Sequence, residues 1–290
     1  MLHFAYDAKF ASITDYLDAV EQTREHEQYQ SLGAAQYSCE NSTTFAGPPM
    51  ETFIAQCRTM QGFEREITLI SAMVQEIIAH LPYVQSRKRE RSVGRTGTTL
   101  RLHAVNRGQL AQAWTRRRRI VPPGETINFA VLIPSAWNAM ATENDILYTM
   151  ACNVALVEMI EASGRTCDVW SISANSSAYG DAHGHRQLVH VHQAGTLWSV
   201  HSCVCLTSLA WYRRLGFRLM EAQQDHLRLV SSYGTRIPGF WPQCHTQTCT
   251  DLGYAPHGTV AGASQSDTID SLPSALAWLH KAIAELHLEE

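Results

Sequence analysis

Two histidine pairs and a scatter of thiols are the residues best suited to chemistry in this chain. His183-x-His185, His190-x-His192, His201, Cys203-x-Cys205 and Cys244-His245…Cys249 carry imidazole and thiol groups. These are the N and S donors that zinc takes in tetrahedral sets of four. Zinc sites draw on paired spacings such as CxxC and HxxxH, and neither occurs here. An HxH pair on a strand puts both rings on one face, so His190 and His192 can share a metal or simply serve as polar strand residues. Cys203 and Cys205 fall in a predicted helix, where i and i+2 point apart, and read as core thiols. Nucleophile signatures are absent: there is no GxSxG and no GxxxxGK[ST]. Gly94-Arg95-Thr96-Gly97 follows no predicted strand and is no phosphate cradle. Asp168 and Asp181 come nearest to a strand end and read as solvated turn or edge residues. The expectation is a non-enzyme with no metal and no cofactor.

Charge is the remaining signal. Residues 86–119 hold eleven basic side chains (Arg87, Lys88, Arg89, Arg91, Arg95, Arg101, Arg107, Arg116, Arg117, Arg118 and Arg119) against the single acid Glu90, a net +10. The whole chain is −4, so the remainder carries −14. Such asymmetry marks a polyanion-binding surface on an acidic body, or arginines that pair with the molecule's own carboxylates. Arginine outnumbers lysine ten to one in the segment. Its planar fork suits phosphates and base planes. Trp114 stands directly before the run Thr115-Arg116-Arg117-Arg118-Arg119, and Tyr83 shortly before Arg87, aromatics on which single-stranded bases can stack. Trp114 also reads as a core anchor.

The elements that must position these residues follow from pattern. The 290 residues are 45% hydrophobic and 17% charged. That is enough for a sizeable core and excludes a disordered or collagen-like chain. Residues 1–30 read as a helix, with Ile13, Tyr16, Leu17 and Val20 as its stripe and Ser12 or Thr14 as its cap. Residues 31–49 read as loop. Helices follow from Glu51 and over 62–80, the latter ended by Leu81-Pro82. Residues 86–97 read as a loop, 98–106 as a short strand and 109–117 as a short helix. Val121-Pro122-Pro123-Gly124 is the expected boundary between a mainly helical region (1–120) and a second domain (121–290).

After that break, strands alternate with helices: strands at 127–133 (INFAVLI), 167–172 and 187–192, and helices at 143–162, stopped by Gly164, and 200–215, closed by Gly216. Further strands are expected at 217–221 and 258–263, then a terminal helix at 273–286 with proline in its first turn. The alternation implies right-handed crossovers and an α/β fold: a three-layer parallel-type sheet with helices on both faces. The eight cysteines invite a disulfide reading. The N-terminal stretch lacks the basic start and apolar run of a secretory signal, so they are expected reduced, in the cytoplasm. No stretch approaches the length of a membrane span.

Several stretches resemble an uncharacterised family found mainly in bacteriophages and plasmids: LRLHAVNRGQLAQAWTRRRR, INFAVLI…NVALVEMIEASGRTCDVWSIS, LAWYRRLGF and LPSALAWLHKAIAEL, together about residues 95 to 287. That family looks like a relative of the von Willebrand factor A (vWA) fold, which implies a ligand site at the strand ends. The metal-binding version of the fold needs Asp-x-Ser-x-Ser after its first strand, because a hard cation wants carboxylate and hydroxyl oxygens. Here INFAVLI is followed by Pro134-Ser135-Ala136-Trp137-Asn138, so only Ser135 and Asn138 offer oxygens, both neutral. The resemblance therefore implies a vWA-like scaffold with a degenerate metal loop.

The two expectations for function are a non-enzymatic, phage-type protein of the host cytoplasm that binds single-stranded DNA or other nucleic acid as a transcription accessory factor, with a phage or host RNA polymerase as partner, and a vWA-like protein-interaction adaptor acting on a host or phage enzyme through the sheet's C-terminal edge. For the first, the contact residues are Arg87, Lys88, Arg89, Arg91, Arg95, Trp114, Arg116, Arg117, Arg118 and Arg119.

Overall fold

The computed structural model describes residues 3–23, 47–81, 89–94, 99–100, 114–119, 128–137, 141–163, 165–176, 183–196, 198–223, 240–254, 259–263 and 267–286. The chain is mixed α/β. It opens with a strand, β1 (His3–Phe10), and only then forms helix α1 (Ile13–Gln22), capped by the Ser12 hydroxyl accepting from the Asp15 N–H at 3.0 Å. The helix expected from residue 1 is corrected here: Tyr6, Ala8 and Phe10 recur with period two, a bulge turns Phe4 to the other face, and the period of 3.6 starts at Ile13. Helices α2 (Met50–Thr59) and α3 (Glu64–His80) follow, and Leu81 leaves α3 in extended geometry, as a residue before proline must.

The central sheet contains β5 (Asn128–Pro134), β6 (Thr166–Ser176), β7 (His183–His192) and the short β8 (Thr259–Ala261), together with β1. Its order is β1-β7-β6-β5-β8. Three of the four pairings are parallel, whereas β6 and β7 run antiparallel. The all-parallel expectation fails at that pair for a geometric reason. Only residues 177–182 join β6 to β7, and a parallel crossover needs a dozen or more. Between β5 and β6 lies helix α4 (Glu143–Ala162), opened by a capping box between Thr142 and Asp145. Gly164, the expected stop, lies outside the described residues; Ser163 caps the helix.

The segment after β7 also departs from pattern. Two 3₁₀ turns (Val200–Ser202 and Val204–Thr207) precede a π turn (Trp211–Gly216) that runs directly into helix α5 (Phe217–Gln223). Gly216 is therefore no terminator, and residues 217–221 are helix rather than strand. A Cβ on Gly216 would meet Tyr212 Cδ2 at 2.9 Å and Gln187 Oε1 at 3.2 Å. The glycine serves close approach of this helix to β7. Among the described residues, helices α6 (Phe240–Asp251) and α7 (Leu272–Glu285) follow, α7 with proline in its first turn.

The sheet buries both faces. Phe129, Val131, Ile133, Cys167, Val169 and Val189 belong to the large cluster that holds residues of α1, α2, α3, α4 and α7. Ala130, Leu132, Trp170, Ile172 and Leu188 pack with Cys244 and Cys249 of α6. β1 thus stands in one sheet with β5–β8, and α1 to α3 bury into one core with α4. Arg186, 3% exposed, fastens the edge: it donates to Asp7 at 2.9 and 2.6 Å and to the Thr248 hydroxyl at 3.0 Å, and lies 2.7 Å from Asp251.

Candidate functional site

The arginine-rich segment forms a sheet of its own. β2 (Arg89–Gly94) and β4 (Trp114–Arg119) pair antiparallel, with β3 (Thr99–Leu100) on the other side of β4. The loop expected over 86–97 and the helix expected over 109–117 are corrected within the described residues: 89–94 and 114–119 are strands. A single sequence gives no apolar alternation there to announce a strand; cross-strand pairing decides it. The register sets Arg89 opposite Arg119, Glu90 opposite Arg118, Arg91 opposite Arg117 and Ser92 opposite Arg116. Six arginines and one glutamate thus occupy two six-residue strands, a net +5. Of the sequence-derived contact residues, this sheet brings together Arg89, Arg91, Trp114 and Arg116 to Arg119. Arg87, Lys88 and Arg95 lie outside the described residues, as do Arg101, Arg107 and Tyr83.

The second place is the carboxyl end of β5. Ser135 is fully buried, and its hydroxyl lies 2.7 Å from that of Ser171 and 2.8 Å from that of Ser173. These three hydroxyls satisfy one another, which a sequence window around Ser135 alone does not reveal. Trp137 is anchored by its indole N–H to the Leu206 carbonyl at 2.9 Å. Asn138 lies outside the described residues. Further along the same sheet face, Gln187 donates to the Gly216 carbonyl at 2.9 Å, and the Tyr16 hydroxyl lies 3.3 Å from Gln187 Oε1. The π turn therefore caps a buried polar row. Beside it, a cleft of about 330 Å³ opens between the starts of α3 and α4, lined by Phe63, Glu66, Glu143, Leu147, Thr207 and Ser208 among others. Arg65 spans its rim to Glu143.

The third place corrects the shared-metal reading of His190 and His192. A β-bulge shifts the register so that Val169 opposes His192 while Trp170 opposes His190. Val169 belongs to one face cluster and Trp170 to the other, so the two histidines leave the strand on opposite faces. His190 donates from Nε2 to Asp168 at 3.0 Å and stacks on Trp170, centroids 4.4 Å apart. Asp168 also accepts from the Ala194 N–H and the Tyr254 hydroxyl, each at 2.9 Å. Burial, with Asp168 adding, pushes the Tyr254 phenol up to about 12. His192 instead meets Thr196, Trp198 and, at 3.6 Å, Glu161. Among the described residues no group of three or more His, Cys, Asp and Glu side chains is placed to hold a metal.

The thiols follow the core reading. All seven described cysteines are buried and free of disulfides, Cys203 and Cys205 among them. Burial pushes the Cys152 and Cys244 thiols up to about 12, which suppresses the thiolate that nucleophilic chemistry needs. Among the described residues no helix is long and apolar enough to cross a membrane.

A family model described as a domain of unknown function (DUF7192) matches residues 4–267. No curated protein and no solved structure gives a significant match to the chain.

Proposed function

The chain belongs to the DUF7192 family of unknown function, and from that premise we propose that it binds single-stranded nucleic acid through the β2–β4 ribbon, without catalysing a reaction and without a cofactor. One observation carries the reading: Arg89 faces Arg119 and Arg91 faces Arg117 across an antiparallel ladder. Like charges directly opposite destabilise such a pair. A ligand with repeating negative charge relieves that repulsion and releases its own counterions. Trp114 stands at the end of the same ladder, where a base plane can meet an aromatic residue. The body that carries the ribbon is read as a vWA-like three-layer scaffold whose metal loop is degenerate at Ser135 and Asn138. In that reading the protein acts in the host cytoplasm as a phage-type transcription accessory factor that brings single-stranded DNA to a phage or host RNA polymerase.

Fluorescence anisotropy with a labelled single-stranded oligonucleotide across a salt series tests the contact. Binding at low salt is expected, with affinity falling steeply as salt rises. Replacing Arg116, Arg117, Arg118 and Arg119 together by serine removes up to four phosphate contacts and makes the log–log salt slope shallower by about 3. Absence of binding at low salt overturns the proposal. The cleft between α3 and α4 favours a second reading, an adaptor that engages a protein partner at the sheet's carboxyl end. A partner retained from lysate after nuclease treatment, and lost on filling the cleft with Ser208→Trp, supports that reading instead.

A further inference from the structure

β1 ends the central sheet. It has one hydrogen-bonded neighbour, β7, and among the described residues nothing pairs with its outer side. A bulge between Phe4 and Tyr6 interrupts the strand, so its regular edge is Tyr6–Phe10, roughly 17 Å, still long enough to template another strand. The opposite edge, β8, offers only three residues. Such an edge normally carries charge that blunts indiscriminate pairing. β1 carries two charges, of opposite sign and two residues apart: Asp7 and Lys9, both exposed and flanking Ala8.

We infer that this edge is a self-complementary docking surface, where β1 of a second copy adds antiparallel about a two-fold axis through Ala8. In that register Asp7 of each copy opposes Lys9 of the other, twice over, on the sheet face that carries Trp170. On the other face Tyr6 opposes Phe10, an aromatic pair of the kind that stabilises adjacent strands. The two neighbouring symmetric registers fail on charge: a pivot at Asp7 sets carboxylate against carboxylate, and a pivot at Lys9 sets ammonium against ammonium. Of these three registers the charges therefore select the pivot at Ala8, which is also the one that overlaps the whole regular edge, Tyr6–Phe10.

Asp7 is already fixed for this role. Arg186 holds both of its oxygens, at 2.9 and 2.6 Å, yet the side chain stays 41% exposed. Arg186 is shared with Asp251, so one guanidinium serves two carboxylates and a residual negative charge remains at the edge. Lys9 stands 5.0 Å from the Trp170 ring centroid, on that same face. The inference is independent of nucleic-acid binding, since it uses neither β2 nor β4.

Sedimentation velocity on the full chain over a micromolar concentration series, together with oxidative cross-linking, tests it. The expected result is a monomer–dimer equilibrium. Lys9→Glu, which turns both cross-strand pairs into repulsions, raises the dimer dissociation constant about tenfold or more while circular dichroism stays unchanged. Ala8→Cys reads the register directly: only a pivot at residue 8 sets the two new thiols opposite each other, within the Cα separation a disulfide requires. A covalent dimer on mild oxidation of Ala8→Cys, and not of Lys9→Cys, supports the inference. A chain that stays monomeric through the series overturns it. So does a dimer that is insensitive to Lys9→Glu and fails to cross-link through position 8, which would place the contact elsewhere.

Discussion

At the scale of single residues, the most informative position is Gly216. Replacing an interior helix glycine by alanine ordinarily stabilises, by about 1 kcal/mol. Here the added methyl would sit 2.9 Å from the Tyr212 ring and 3.2 Å from Gln187 Oε1, both in the core. Overpacking of that kind costs about 1–3 kcal/mol, so Gly216→Ala should lower the urea midpoint despite its better helix propensity. A raised midpoint would show that the contact with β7 is loose. His185 gives a second test. It is buried, and burial lowers its pKa from the usual 6.5. The folded chain therefore holds the ring neutral while the unfolded chain takes up a proton as pH falls through 6.5. Its contribution is fully present above that pH and shrinks below it. Unfolding free energies at pH 7.5 and 5.5 should fall more for the wild type than for His185→Gln; parallel curves would refute this. Local spacing suggested none of this. His190 and His192 show why: the HxH pattern assumes an uninterrupted pleat, and one bulged residue against β6 reverses the face of one ring.

At the scale of elements, the sequence read best where one residue's neighbours along the chain suffice. Helix α4 was legible to its first and last residue because its run of apolar residues at helical spacing is a local signal. The capping box makes a firm prediction: Thr142→Ala should cost about 1 kcal/mol, read as a lowered thermal midpoint. An unchanged midpoint would mean that packing alone sets the start of this helix. The buried strand β5 was equally plain, being a continuous apolar run, and the strand expected over 167–172 is the middle of β6. Strands that live on pairing were not. β1 was merged with the helix after it, and β2 and β4 were read as loop and helix, since arginine is a good helix former and period two was hidden in a run of like residues. The segment after β7 was misread for a third reason. Two 3₁₀ turns and a π turn obey neither the 3.6 nor the 2.0 period on which the reading rests.

At the scale of the whole molecule, Arg186 joins three distant parts of the chain: Asp7 of β1, its own strand β7, and Asp251 and Thr248 of α6. Arg186→Lys keeps the charge but loses the fork that grips both oxygens of Asp7. Loss of about 1–2 kcal/mol is expected, concentrated at the edge, so amide exchange should accelerate over residues 3–10 before it does over β5 and β6. Uniform acceleration would show that the clamp supports the entire core instead. The sequence by itself determined that β5 and α4 bury, that Cys203 and Cys205 belong to the core and that positive charge gathers in residues 86–119. Those are properties of composition and short-range periodicity, and they need no knowledge of distant partners. Only the tertiary structure decided that residues 3–10 join a sheet whose other strands lie beyond residue 127, that β7 turns back against β6, that Arg89 and Arg91 stand in register with Arg119 and Arg117 and that Ser135 closes on Ser171 and Ser173. Each depends on groups far apart in sequence meeting in space, and hydrogen-bonded register is a property of the pair that no single strand carries.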